Sequence, residues 1–171
     1  MVLYCDTRQH AGKHNAKMRW WESHGVDTEV RKLDFGDYMT DGSNISVDTK
    51  RSVAELAQNV RRDHARFKRE IERANAAGCK LVVLVEEKPR DLVKWTNPHC
   101  RSCEIRRRSA CAPMSPRGRC ARHGTVKPIQ GPSLSKTLRT MEERYGVVFE
   151  FCRPSESARR VCEILGVSYD K

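Results

Sequence analysis

The sequence predicts an α/β domain of three layers, with helices on both sides of a central mixed sheet and one small cysteine-rich insertion. Three observations predict it. Short apolar runs bounded by turn residues alternate with amphipathic stretches of helical period, the order expected when helices cover both faces of a sheet. Lys80 to Val85 is apolar and mostly β-branched after its first residue, as a strand buried on both faces must be. From Pro98 to Lys127 the periodicity stops, in a stretch that holds four of the eight cysteines. With 171 residues the chain is long enough for one domain with a substantial core.

Val2 to Cys5 is an apolar run closing on Asp6, which reads as a strand. A helix follows from Gly12 to His24, with Met18 and Trp21 inward and Gly25 as its stop. Val26 to Leu33 sets Val26, Thr28 and Val30 against Asp27, Glu29 and Arg31, the alternation of a half-buried strand. Asp34 to Asp37 turns the chain, and Tyr38-Met39 and Asn44 to Lys50 flank Asp41-Gly42, a hairpin turn that needs positive φ. Ser52 and Glu55 have capping-box spacing and open one long helix to Ala77 through Val53, Leu56, Val60, Phe67, Ile71 and Ala74. The strand from Lys80 to Val85 ends on Glu86 and Glu87, expected to be structural. The insertion spans residues 98–127, dividing the main domain into residues 1–97 and 128–171. Beyond it come a helix through Leu134, Leu138, Met141 and Tyr145, a strand from Val147 to Phe151, and a helix from Ser155 to Leu165. Trp21, Trp95, Cys5, Cys79, Cys152 and Cys162 lie in or beside apolar runs and are expected in the core.

The 33 Lys and Arg against 22 Asp and Glu give a net charge of +11, which makes a polyanion the leading partner. Residues 98–127 carry eight basic residues and one acid, +7, whereas the other 141 residues carry only +4. No stretch approaches the roughly 20 apolar residues that span a bilayer, and the start lacks a charged-then-apolar signal pattern. The expectation is an intracellular protein, cytoplasmic or nucleoid-associated, with reduced thiols. In that compartment, cysteines at short spacings point to metal rather than disulfides.

Cys100-x2-Cys103 and Cys120-x2-His123 are sixteen residues apart, with Cys111 between them. Two chelating pairs of this kind suit tetrahedral Zn²⁺, with Cys100, Cys103 and Cys120 as ligands and Cys111 or His123 as the fourth. The bland alternative is a basic loop without metal. A segment lacking an apolar core needs such a staple to hold its shape. The seven arginines, Arg106, Arg107, Arg108, Arg117 and Arg119 among them, would then form a phosphate-gripping arm.

Asp48 and Lys50 are two apart on a strand and project to one face, with Val47 and Thr49 on the other. Asp37, across the hairpin, can lie beside them. Two carboxylates at adjacent strand ends suit a hard divalent cation such as Mg²⁺. A neighbouring ammonium can orient water and offset charge on a phosphate. On spacing alone, Asp-x-Lys equally describes a solvated strand face.

Gly36-Asp37-Tyr38 followed by Val47-Asp48-Thr49-Lys50-Arg51-Ser52 resembles the Gly-Asp…Glu-Arg-Lys signature of the XPF-type nuclease family, within the restriction-endonuclease-like PD-(D/E)xK superfamily. Asp6-Thr7-Arg8-Gln9 resembles the family's Asp-x-Arg-Glu at the end of the first strand. The resemblance covers residues 2–90 and 131–166. It departs at Asp48 (family Glu), Thr49 (Arg), Gln9 (Glu) and Ala54, where the family has an acid. It implies a restriction-endonuclease-like fold and a metal-dependent DNA endonuclease acting on branched or structured DNA. Asp37 and Asp48 would hold Mg²⁺ or Mn²⁺, Asp6 would assist, Lys50 would position water, and Arg8 and Arg66 would contact phosphate. Relatives pair this domain with tandem helix-hairpin-helix units and work as dimers. In a chain of 171 residues the expectation is that the zinc arm replaces those units, with a homodimer through the two C-terminal helices. The competing expectation is a non-catalytic DNA-binding scaffold subunit.

Overall fold

The structure, a computed structural model, describes residues 1–8, 11–101 and 128–170. Gln9, Cys103, Cys111, Cys120, His123, Arg106, Arg107, Arg108, Arg117 and Arg119 lie outside the described residues. The elements run β1 (Leu3–Asp6), α1 (Ala11–Ser23), β2 (Thr28–Arg31), β3 (Tyr38–Thr40), β4 (Ile45–Lys50), α2 (Val53–Arg61), α3 (His64–Ala76), β5 (Lys80–Val85), α4 (Pro98–Arg101), α5 (Gly131–Tyr145), β6 (Val148–Phe151), a 3₁₀ turn at Pro154–Glu156, and α6 (Ser157–Leu165). The sheet order is β2-β1-β3-β4-β5-β6. β1 pairs parallel with β2 and antiparallel with β3; β3 and β4 are antiparallel, while β4, β5 and β6 run parallel. This is the mixed sheet expected, with β4 and β5 central and buried.

Each face of the sheet has its own core. On one side, Leu56, Phe67, Ile71, Leu81, Val83, Leu134 and Met141 join α2, α3 and α5 to the sheet. On the other, Trp21, Val47, Leu84, Val161, Cys162 and Leu165 join α1 and α6 to it. Trp21, Trp95 and the four cysteines assigned to apolar runs are buried, as expected.

Two expectations are corrected. The long helix after Ser52 is two helices, α2 and α3, broken at Arg62-Asp63. The helical step from Val60 calls for an apolar residue at 63 or 64, but Asp63 and His64 stand there, so nothing holds the turn against the sheet. The amides of Arg62 and Asp63 both donate to Gln58 O, and α3 starts afresh with Phe67 N donating to Asp63 O. The capping pattern also differs in detail. Glu55 N donates to Ser52 Oγ at 3.1 Å, but the Glu55 carboxylate accepts from Arg51 N rather than Ser52 N. The second correction concerns β2, which is four residues long and pairs with β1 alone. Val30 is 62 % exposed, because an edge strand is not covered by a helix on both faces. Val26 is buried, but in the turn before the strand.

The 98–127 segment leaves and rejoins the domain at a closed stem. Asn97 N donates to Gln130 Oε1 at 3.2 Å and Asn97 Nδ2 to Ile129 O at 3.4 Å, while Gln130 Nε2 donates to Pro128 O and to Cys100 Sγ, both at 3.2 Å. Gly131 seats α5 against this stem. A Cβ there would lie 2.4 Å from the carbonyl oxygens of Leu92 and Val93, so only glycine fits.

Candidate metal centre

Gly36 positions the first carboxylate. Its φ is +68°, and a Cβ would fall 2.1 Å from Ser46 Oγ, so a side chain is excluded both by conformation and by space. The turn lets Asp37 N donate to Val47 O at 2.7 Å and Asp37 O accept from Asp6 N at 2.9 Å, fixing Asp37 between β1 and β4. Asp37 Oδ2 then accepts from Thr49 N at 2.8 Å and Thr49 Oγ1 at 2.6 Å. Thr49 thus orients Asp37 even though its own side chain lies on the opposite side of β4 from Asp48 and Lys50.

Asp48 and Lys50 project together toward α3. Lys50 Nζ is 2.5 Å from Asp48 Oδ2 and 5.8 Å from the centre of the Phe67 ring. Asp48 is 4 % exposed, and its Oδ2, although in ionic contact with Lys50, makes no hydrogen bond. Asn59 Oδ1 on α2 is the other buried side-chain atom without a hydrogen bond among the described residues. Burial pushes the Asp48 carboxyl up to about 7; Lys50 opposes this, and the negative charges of Asp37 and Glu70 add to it. Burial works against charge on Lys50, but Asp48, Asp37 and Glu70 together hold its ammonium above the ordinary range.

The remaining expected site residues take other places. Asp6 is buried, and both its oxygens are engaged: Oδ2 accepts from Arg8 Nε at 2.7 Å and Oδ1 from Leu33 N at 3.0 Å. Arg8 is exposed and also donates to Leu33 O at 2.6 Å, so Asp6 acts as its anchor. Arg66 is exposed on α3. Glu86 and Glu87 are structural, as expected. Glu86 Oε1 accepts from Ser157 Oγ at 2.6 Å and pairs with Lys17, and Glu87 Oε2 accepts from Val53 N, capping α2.

Sequence reasoning missed Glu70. It lies on α3 among residues dense in both charge signs, where its register toward the sheet end is invisible without knowing that α3 begins at His64. Its Oε1 accepts from Gly36 N at 3.2 Å, next to Asp37.

The donor set fits a hard divalent cation. Asp37 and Asp48 offer carboxylate oxygens, one of them buried and without a hydrogen bond, and Mg²⁺ or Mn²⁺ needs only one or two protein carboxylates with water filling the rest. No three His, Cys, Asp or Glu side chains among the described residues converge as a ready-made cage.

The family model of the ERCC4 domain matches residues 5–164. XPF from Aeropyrum pernix superposes with a TM-score of 0.59 at 18 % identity, covering 98 % of this chain and 61 % of that chain. A structure of XPF from Aeropyrum pernix in complex with DNA also gives 0.59 at 18 % identity, covering 97 % and 64 %. The chain therefore spans about three fifths of the solved chains it matches, and at this identity the likeness establishes the fold. No curated protein matches the sequence. With the family model extending over nearly the whole chain and the fold shared with XPF, the chain belongs to the ERCC4 domain family.

Proposed function

We propose that the domain is a divalent-metal-dependent endodeoxyribonuclease that cuts branched or otherwise structured DNA. The observation that supports this reading is the buried contact of Lys50 Nζ with Asp48 Oδ2 at 2.5 Å on β4, with Asp37 held by Thr49 of the same strand. Asp37 and Asp48 would hold Mg²⁺ or Mn²⁺, which when bound acts as a Lewis acid on the phosphate and makes water more acidic. Thr49 keeps Asp37 in one orientation, so this carboxylate is set before the cation arrives. The Lys50 ammonium orients the attacking water and balances charge growing on the phosphate. Asp6 assists through Arg8, whose exposed guanidinium contacts phosphate, as does Arg66 from α3. The complex of XPF from Aeropyrum pernix with DNA supports DNA as the substrate.

The arm at residues 98–127 would be held by Zn²⁺ on Cys100, Cys103 and Cys120, with Cys111 or His123 as the fourth ligand. The N–H of Gln130 donating to Cys100 Sγ supports this, because such contacts stabilise a ligating thiolate.

The test is cleavage of labelled duplex, flap, fork and four-way junction DNA with Mg²⁺. Wild type should cut at least one branched substrate, and Asp37→Asn and Lys50→Ala should each slow it by about a hundredfold or more. Binding without cleavage of any substrate by wild type would overturn the nuclease reading in favour of a scaffold subunit. For the arm, unchanged zinc content after Cys100→Ser and Cys120→Ser would remove the zinc assignment.

A further inference from the structure

The sheet face that carries Asp48 is packed over only part of its width. Its core joins β5 to α2, α3 and α5 and takes no residue from β1 or β2. Tyr4 and Asp6 point to this open part, because Leu3 and Cys5 lie in the core of the opposite face. Arginines floor it. The Arg31 guanidinium lies 3.3 Å from the centre of the Tyr4 ring and 3.6 Å from Asp41 Oδ1, and Asp41 also accepts from the Tyr4 hydroxyl. Arg8 is held by Asp6 and Leu33 O, yet its side chain is 58 % exposed, and that of Arg31 is 45 % exposed.

Helix α3 makes the wall. Phe67, Ile71 and Ala74 face the core, and on one flank Lys68 pairs with Glu72 and stands 5.8 Å from the Tyr145 ring of α5. The other flank turns toward the open strands, since Glu70 there reaches Gly36 N and Arg73 Nη2 reaches Asp34 O at 3.5 Å. Arg66, Arg69 and Arg73 follow one another along this flank at three- and four-residue steps, all exposed. From Arg66 to Arg73 the helix rises about 10 Å, roughly three phosphate steps of one DNA strand. Floor and wall therefore meet in a cationic trough bordered by the turn that carries Asp37.

We propose that this trough carries the sugar-phosphate backbone of one DNA strand past the site, gripped by Arg8 and Arg31 below and by Arg66, Arg69 and Arg73 at the side. This deepens the reading above by naming the strand's route, and it rests on DNA as the substrate. A guanidinium already held over a ring or on a carbonyl loses less freedom when it meets a phosphate. The competing role is structural: Arg31 as a cover for Tyr4, and the α3 arginines as a solvated helix flank.

The test is anisotropy of a fluorescein-labelled flap DNA with the full chain, over a salt series with chelator present so that nothing is cut. Arg31→Gln on the floor and Arg69→Gln on the wall should each lower the slope of log K against log salt by about 0.7–0.9, and weaken binding about fivefold or more at roughly 0.1 M salt. Arg69→Lys, which keeps the charge, should retain the wild-type slope. Arg19→Gln is the matched control: Arg19 is exposed on α1, across the sheet, with its Nε on Asn15 O at 3.1 Å, and its loss should leave the slope unchanged. A wild-type slope in either Arg31→Gln or Arg69→Gln would remove floor or wall and overturn the trough. An equal loss in Arg19→Gln would reduce the effect to net charge and overturn it too. Cleavage by wild type beside unaltered binding in both variants would leave the nuclease reading standing without the trough, whereas the expected slopes without cleavage of any substrate would overturn the nuclease reading and keep the trough.

Discussion

The two faces of the sheet each bury a lysine against a carboxylate, and the two pairs are opposites. The side chains of Lys17 and Glu86, under α1 and α6, are 8 % and 13 % exposed; those of Lys50 and Asp48, under α3, are 11 % and 6 % exposed. Burial is therefore nearly equal, but the surroundings are not. Glu86 has a second donor in Ser157 Oγ, and its pair closes on itself. Asp48 has an oxygen without a hydrogen bond and two further carboxylates pressing on it. Desolvation makes an isolated buried pair a poor source of stability unless hydrogen bonds complete it. The Glu86 pair meets that condition and reads as architecture. The Asp48 pair has fewer partners and more like charge around it, and so contributes less.

Breaking the closed pair should cost most. Lys17→Ala strands the buried Glu86 with one hydroxyl donor and should destabilise by about 3–5 kcal/mol in denaturant unfolding. Asp48→Asn should cost less than Lys17→Ala, because the loss of the Lys50 partner is offset by relief of the repulsion from Asp37 and Glu70. A loss for Asp48→Asn as large as for Lys17→Ala would erase the distinction between the pairs.

Gly36→Ala comes next. Left-handed backbone and the contact with Ser46 should cost about 3 kcal/mol in thermal or chemical unfolding. It should also weaken Mn²⁺ binding, since the turn sets Asp37. A stable variant with unaltered Mn²⁺ affinity would show that Asp37 does not depend on this turn.

The most gradual effect is in pH. The Asp48 pKa is raised from 3.8 in the unfolded chain to about 7, so between those values the native state holds a proton that the unfolded state has released. Metal-free stability should therefore fall as pH rises from about 4 through about 7 and then level off. Unfolding of wild type and Asp48→Asn across this window checks it. Equal slopes in the two proteins would remove Asp48 as the cause.

The pairing of Asp48 with Lys50 and the turn at Gly36-Asp37 were legible because both depend on rules local to the chain. Asp48 and Lys50 share a face by two-residue periodicity, and Gly36-Asp37 announces a turn that other residues cannot make. Thr49 was legible only as a residue on the far side of the strand; that it would orient Asp37 depends on the tertiary meeting of β4 with the turn at Gly36. The residues of both cores follow from apolar period, whereas the break at Asp63 was hidden because Val60 and Phe67 keep helical spacing across it. The alternation in Val26 to Val30 misled for a different reason: period gives two faces, but only packing decides that an edge strand has neither well covered. Glu70 depends on where α3 begins, and so shared the obscurity of that break.

Asn97 and Gln130 bind the two ends of the 98–127 segment to each other. Doubling the length of a segment joined at such a stem adds only about 0.6 kcal/mol of closure entropy. The stem behaves as a socket. What is joined to it can lengthen, shorten or change charge at little cost to the sheet and its carboxylates.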